Sequence, residues 1–279
     1  MRGSDPAQEQ FRRLLSHVRD GEITTADYRL LSTRLDVHLS EEEKRMFADA
    51  PRLVASHETE QEINRRQLRN IGRPCFNLKA NHQPAAARKK AAQDAGGLEP
   101  VVRLTEGAKV MLRSNMWVSA RLTNGTLGNV VGLLYPPNAV GPDTLTAAVC
   151  VKFPGCKRPA WNPEQPKVVP VPAITTKWMQ GARLHSRTQV SLALAFAVTI
   201  HKCQGWTRPA VWVDIGPKEF ALGLTFVALS RATSLRGSIL NPTDPAAAQW
   251  SRLARINASD GQKKRKQVDR LLQRLQAST

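Results

Sequence analysis

The hydrophobic period of this chain changes twice along its length, and those changes constrain the fold more than any other feature. Up to Gly72 the apolar residues recur at helical steps. Phe11, Leu14, Leu15 and Val18 come three and four apart, and Gly21 can stop the helix they define. Thr24 or Thr25 can cap a second short helix carrying Tyr28, Leu30, Leu31 and Leu35. Ser40 before Glu41-Glu42-Glu43 reads as another helix start, because acidic groups there meet the positive end of the dipole. Arg52 to Ala55 reads as a short strand, and Glu58 to Asn70 as a helix. From Val101 the period shifts toward two and glycines multiply. Strands are expected over 108–112, 128–134, 147–153 and 168–171, with Asn124-Gly125 as a tight turn and Pro170 suited to a sheet edge. Short strands between turns suggest a small barrel. Residues 189–241 return to an α/β rhythm. There Ser191 to Val198 is an apolar helix or buried segment, Val211 to Ile215 a strand, Phe220 to Ser230 leads into a helix, and Ser238 to Leu240 is a final strand. The Ala-, Lys-, Gly- and Gln-rich stretch 81–100 reads as a loop or mobile linker that can hold a short helix. A polar tail follows Pro242, with Lys263-Lys264-Arg265-Lys266 inside a basic helix.

Charge narrows the partners. Against 41 Lys and Arg stand 23 Asp and Glu, giving a net charge of +18 and a pI near 10.5. So basic a chain points to a polyanion, of which nucleic acid is the commonest, although a generally basic surface without a specific ligand is the alternative. The longest apolar run, Val190 to Ile200, is interrupted by Ser191 and Thr199 and falls short of the ~20 residues a membrane span needs. No apolar stretch follows Met1 to Asp5, so the expectation is a nuclear or otherwise intracellular protein, not secreted and with no membrane partner. The four cysteines, Cys75, Cys150, Cys156 and Cys203, form no Cys-x-x-Cys pair, and no His pair has zinc spacing. They read as free thiols, with no metal site.

Two segments carry candidate chemistry. Thr199-Ile200-His201-Lys202-Cys203-Gln204-Gly205 places a hydroxyl, an imidazole and an ammonium within four residues, ahead of a glycine that permits close backbone approach. That set suits a sugar-phosphate backbone read without base preference, or is simply a polar loop after a buried segment. In Val227-Ala228-Leu229-Ser230-Arg231-Ala232 one arginine follows an apolar run. It can serve as an ion-pair partner in the fold or as an arginine finger on a transferring γ-phosphate. Trp117, Trp178 and Trp206 can stack on bases or belong to packing edges.

In order and spacing these two segments resemble motifs V and VI of the Pif family of superfamily 1 DNA helicases, a branch that includes Helitron-type enzymes. The family usually has serine at the position of Cys203. Arg187-Thr188-Gln189-Val190-Ser191-Leu192 is similar to the family's Arg-x-Gln-x-Pro-Leu, with Ser191 in place of proline. Gly107 to Asn115 and Leu122 to Gly128 resemble its inserted barrel of the Src-homology type. Arg52 to His57 resembles a strand that ends in Thr-Asn, here Ser56-His57, and Arg2 resembles the motif IV arginine.

The resemblance implies an α/β fold, with residues 1–80 and 185–242 as a second RecA-like domain and 101–184 as the inserted β-barrel. Residues 81–100 would be a linker and 243–279 a basic helical tail. It implies a part of an ATP-dependent 5′→3′ DNA helicase, with Arg231 and Arg2 reaching the γ-phosphate and Gln204 and Gly205 beside them. Thr199, His201 and Lys202 would hold single-stranded DNA, while Asn115 and Asn124 shape its channel. No Gly-x-x-x-x-Gly-Lys-[Ser/Thr] loop occurs in the 279 residues. ATP and Mg²⁺ would therefore need a separate or upstream RecA-like ATPase domain. A non-catalytic single-stranded nucleic-acid binder, acting in trans, is the alternative. Roles in DNA repair, recombination or telomere maintenance follow from the family name alone.

Overall fold

Asp5 starts the first helix by accepting a hydrogen bond from the Ala7 N–H (3.1 Å). Pro6 follows at the first helical position, where a missing N–H costs nothing. Gly21 ends the same helix at φ 70°, the left-handed conformation that glycine adopts without strain. The computed structural model describes residues 5–135, 146–157, 159, 163–216 and 223–241. Arg2 and the tail at 243–279, including Lys263 to Lys266, lie outside the described residues.

In chain order the helices are α1 (Pro6–Asp20), α2 (Thr25–Ser32), α3 (Glu41–Arg45), α4 (His57–Asn70) and α5 (Leu224–Leu229). The strands are β1 (Arg52–Val54), β2 (Phe76–Lys79), β3 (Asn81–Gln83), β4 (Val101–Leu104), β5 (Lys109–Leu112), β6 (Leu127–Leu134), β7 (Ala148–Lys152) and β8 (Val168–Gln180). They continue with β9 (Arg183–Val190), β10 (Leu192–Leu194), β11 (Ala197–Thr199), β12 (Val211–Asp214) and β13 (Ser238–Leu240). Thr24 and Ser40 cap α2 and α3 through capping boxes closed by Asp27 and Glu43.

The chain forms two units, Met1–Gln61 with Ala197–Thr279, and Glu62–Phe196. In the first, β11, β1, β12 and β13 make a parallel sheet in that order. Parallel strands are covered on both faces and read as apolar runs. Here Leu53, Val198, Val211 and Ile239 are fully buried. Phe11, Leu14 and Val18 on α1 and Ala228 and Leu229 on α5 are buried too. Arg34 ties the α2 end to the last strand, donating Nε to the Ser238 carbonyl at 2.9 Å and Nη2 to the Arg236 carbonyl at 3.2 Å.

The second unit is antiparallel. Seven strands run in the order β10-β5-β6-β7-β8-β9-β3, and β2 pairs with β4. Gly128 is demanded by packing, because a Cβ there would lie 2.6 Å from Val151 Cγ1 and 2.7 Å from Phe153 Cδ1. Four expectations need correction. The strand expected at 168–171 runs on to Gln180 and lies between β7 and β9. Its prolines survive there because Pro170 and Pro172 pair only with β7, and β9 joins from Ala173 onward. Of the two readings of Ser191 to Val198, the helix does not form; the stretch is buried or half-buried and holds β10 and most of β11, which belong to different sheets. The division also falls at 61/62 and 196/197, so 62–80 and 185–196 fold with the antiparallel unit.

The fourth correction concerns 81–100, which is no linker. It holds β3, two short 3₁₀ turns and the buried residues Ala87, Ala95 and Leu98. Arg187 on β9 organises it. The side chain is 0% exposed, and its guanidinium donates to the carbonyls of Leu98 (2.7 Å), Lys90 (2.8 Å) and Ala87 (3.0 Å). Gln189, two residues on, donates to the Leu78 carbonyl at 2.8 Å. Burial, with the Arg187 and Arg88 charges, holds the nearby His82 imidazole below its usual range. Replacing Arg187 by Met would strand buried carbonyls, at a cost of about 3 kcal/mol. The exposed Arg183→Met on the same strand should cost under about 0.5 kcal/mol. Urea unfolding of both variants checks this, and equal losses would contradict the structural role.

Candidate nucleic-acid interface

Local backbone geometry decides which side chains of the 199–205 segment face outward. Strand β11 ends at Thr199, and Ile200 to Cys203 form one 3₁₀ turn. In a 3₁₀ turn residues three apart share a face. Ile200 and Cys203 are accordingly both 0% exposed, while His201 and Gln204 are exposed and Lys202 is half-buried. Gly205 follows at φ 85°, a conformation that lets the chain turn back before the buried Trp206.

Each polar candidate meets a different fate. Thr199 is buried, and its Oγ1 finds no hydrogen-bond partner among the described residues. His201 points to solvent. Lys202 is neutralised: its Nζ lies 2.8 and 2.9 Å from the two oxygens of Glu60. That carboxylate sits near the start of α4, only 8% exposed, and also meets His57 Nδ1 at 3.0 Å. Ser56 caps the same helix, accepting from the Thr59 N–H at 3.1 Å. Glu60 was not singled out from sequence, and nothing in the polar run of α4 separates it from Glu58 or Glu62. Only the parallel pairing of β1 with β11 brings its helix beside the 199–205 segment.

Arg231 is committed to its own unit. Nε donates to the Val227 carbonyl (2.8 Å), Nη2 to Ser230 Oγ (2.9 Å) and Nη1 to the Trp206 carbonyl (3.1 Å). A short backbone bridge backs the last bond, with Arg208 N–H on the Arg231 carbonyl (2.8 Å) and Thr233 N–H on the Arg208 carbonyl (3.0 Å). The second segment is thereby hydrogen-bonded to Trp206 and Arg208, which come just after the first. Asn115 and Asn124 belong to the antiparallel unit, both exposed, with the Asn115 side-chain carbonyl accepting the Asn124 N–H at 2.9 Å. Asn115 thus sets the Asn124-Gly125 turn from within. Of the three tryptophans considered for stacking, Trp206 is 9% exposed, Trp178 packs 5.8 Å from His185, and Trp117 stands 48% exposed.

Cys203 takes the inward place of its turn, and burial pushes its thiol up to about 11. At pH 8 iodoacetamide should modify the exposed Cys75 well before Cys203, followed by peptide mass spectrometry. The unfolded thiol ionises near 9.0, before the folded one. Stability should therefore fall as pH rises from about 9 to about 11, by up to ~1.4 kcal/mol per unit. Early labelling of Cys203 in folded protein would contradict this burial.

No protein-family profile matches the chain. Among characterised proteins it is 30% identical over 244 residues to the human ATP-dependent DNA helicase PIF1, covering 87% of this chain and 34% of that protein. It is 27% identical over 237 residues to ATP-dependent DNA helicase PIF6 of Trypanosoma brucei brucei, covering 85% and 28%. In fold it is similar to the crystal structure of Pif1 helicase from Candida albicans, with a TM-score of 0.60 at 23% identity over 86% of this chain and 54% of that one. Bacteroides Pif1 bound to ssDNA gives 0.58 at 20% identity, over 95% and 56%. The chain spans about a third of the length of these curated relatives and about half of the solved chains. Sequence relatives and fold neighbours agree on one family, and this chain is related over most of its length to a portion of the Pif1 helicases.

Proposed function

We propose that this chain is the part of an ATP-dependent 5′→3′ DNA helicase that grips single-stranded DNA and supplies an arginine to the nucleotide. The observation that carries the reading is the hydrogen bond from Arg231 Nη1 to the Trp206 carbonyl (3.1 Å). It joins the arginine that would reach a γ-phosphate to the end of the loop that would hold DNA. Swinging Arg231 toward a phosphate releases that carbonyl, and the grip of 199–205 then follows nucleotide state. Gln204 and Gly205, both exposed beside this link, would complete the nucleotide-facing edge. Arg2 would act with Arg231 in the same role. The antiparallel sheet is read as the inserted small barrel, with Asn115 and Asn124 shaping the DNA channel through their shared turn.

Among the described residues no three His, Cys, Asp or Glu side chains lie together. Asp214, the carboxylate after strand β12, accepts the Gly216 N–H at 2.9 Å. The described residues offer no cluster for Mg²⁺, and on this reading ATP and Mg²⁺ would be held by a separate or upstream RecA-like ATPase domain. Work on nuclear DNA belongs to the same reading. A second reading, a single-stranded DNA binder without catalysis, is favoured by one feature: Lys202 and Arg231 are both satisfied within the chain.

Two experiments separate these readings. Fused behind the phosphate-binding domain of a Pif1 helicase, the chain should restore ATP hydrolysis stimulated by single-stranded DNA. Arg231→Gln should then cut turnover by roughly a thousandfold, the lower end of what arginine fingers contribute. Restored turnover indifferent to Arg231 would remove the finger, and no restoration favours the binder alone. For the grip, Glu60→Gln frees the Lys202 ammonium. It should tighten binding of a labelled dT oligonucleotide about threefold at low salt. It should also cost about 2 kcal/mol of stability, since Lys202 is half-buried. Unchanged DNA affinity would take Lys202 out of the interface.

A further inference from the structure

We propose that Trp117 is a base-stacking platform, presented by a preformed loop of the antiparallel unit to single-stranded DNA. Tryptophan is usually well buried, yet Trp117 is 48% exposed and its neighbour Val118 66%. The loop that carries them is not loose. Trp117 and Leu122 exchange both backbone hydrogen bonds, Trp117 N–H to the Leu122 carbonyl at 2.9 Å and Leu122 N–H to the Trp117 carbonyl at 3.0 Å. Within it Ala120 N–H bonds the Trp117 carbonyl at 3.2 Å and Arg121 N–H the Val118 carbonyl at 3.0 Å. Arg121 closes the turn at φ 62°, a conformation rare for a side chain with a Cβ. The anchors point inward, with Ala120 at 2% and Leu122 at 0% exposure, and Met116 packs on the same core. The loop therefore folds Ala120 and Leu122 in and leaves Trp117 and Val118 out. An aromatic held rigid in advance loses little entropy on meeting a partner.

Charge identifies that partner. Arg121 is exposed beside the platform, and Lys157, also exposed, is fastened to the loop by its N–H on the Ala120 carbonyl at 3.0 Å. From Gly107 to Phe196 the chain carries ten Lys and Arg and only two acidic residues, Asp143 and Glu164. An exposed ring in a loop that carries Arg121 and holds Lys157, within a stretch of chain poor in acids, fits an unpaired base next to its phosphates: the ring takes the π-face and the cations take the backbone. A protein partner would require acidic or apolar complementarity, whereas stacking accepts any base.

The inference rests on the reading of this chain as a binder of single-stranded DNA, and the experiment keeps the two apart. Binding of a fluorescein-labelled dT oligonucleotide to the full chain is measured by anisotropy across a NaCl series. Trp117→Ala should weaken binding by roughly tenfold at every salt concentration, with the salt slope unchanged. Trp117→Phe should stay within about twofold, which also shows that the loop still folds. Arg121→Gln should reduce the salt slope by about one instead. If the unaltered chain binds and Trp117→Ala binds equally well, the platform is wrong and the proposed function stands. If the unaltered chain does not bind, both fall.

Discussion

Strand β1 is three residues long, and it hydrogen-bonds on both sides to strands from the far end of the chain, β11 on one edge and β12 on the other. Most of the architecture depends on that double pairing. Parallel neighbours cannot be joined by a tight turn, so a crossover must lie between them. Between β1 and β11 the crossover has grown into an entire antiparallel unit. The same pairing sets the end of β11, and with it the 3₁₀ turn that follows, beside the helix that follows β1. Glu60 meets Lys202 for that reason. Neither three-residue strand has a strong propensity signal of its own; both are held by their neighbours and by the burial of Leu53 and Val198.

Net charge and available charge are different quantities in this protein. The most deeply placed cations are used internally. Arg187 donates to the backbone carbonyls of Leu98, Ala87 and Lys90 and to the His82 ring. Arg34 bridges to two carbonyls of the last strand's approach, and Arg231 to three oxygens of its own unit. Arginine suits such places because its planar fork of donors can satisfy several acceptors at once while remaining charged. Burial and the nearby Glu99 act on Arg187 in opposite senses, and burial prevails, lowering its affinity for the proton. A basic composition thus overstates the positive field at any one site. What faces a polyanion is decided by cations left at the surface, such as Arg121 and Lys157.

The two motif segments illustrate a division of labour between backbone and side chain. Ile200 and Cys203 anchor one, and Ala228 and Leu229 anchor the other. The hydrogen bonds that tie the second to Trp206 and Arg208, just after the first, are backbone ones apart from that of the Arg231 side chain. A junction of that kind transmits displacement well, because close-packed anchors cannot yield gradually. It also explains how Cys203 is accommodated: its thiol donates to the Ile200 carbonyl at 3.0 Å inside the turn, as a serine hydroxyl also can.

Local signals in the sequence determined the helices and many of the strands, since caps, helical spacing and turn dipeptides act within a few residues. Asp5, Gly21, Thr24 and Ser40 did as local rules require, and so did Asn124-Gly125. The motif residues were legible because their order along the chain is itself the signal. What only the tertiary structure decided is what those residues touch. The stretch 81–100 looked like a linker because its own residues bury little; its order comes from Arg187 and Gln189, which lie far along the chain. Ser191 to Val198 looked like one apolar segment because composition cannot reveal that it passes from one sheet to another. Lys202 looked like a free donor because its partner is a glutamate on a helix indistinguishable from its neighbours. In each case the deciding contact is long-range, and a long-range contact exists only once the chain has closed the loops that bring its ends together.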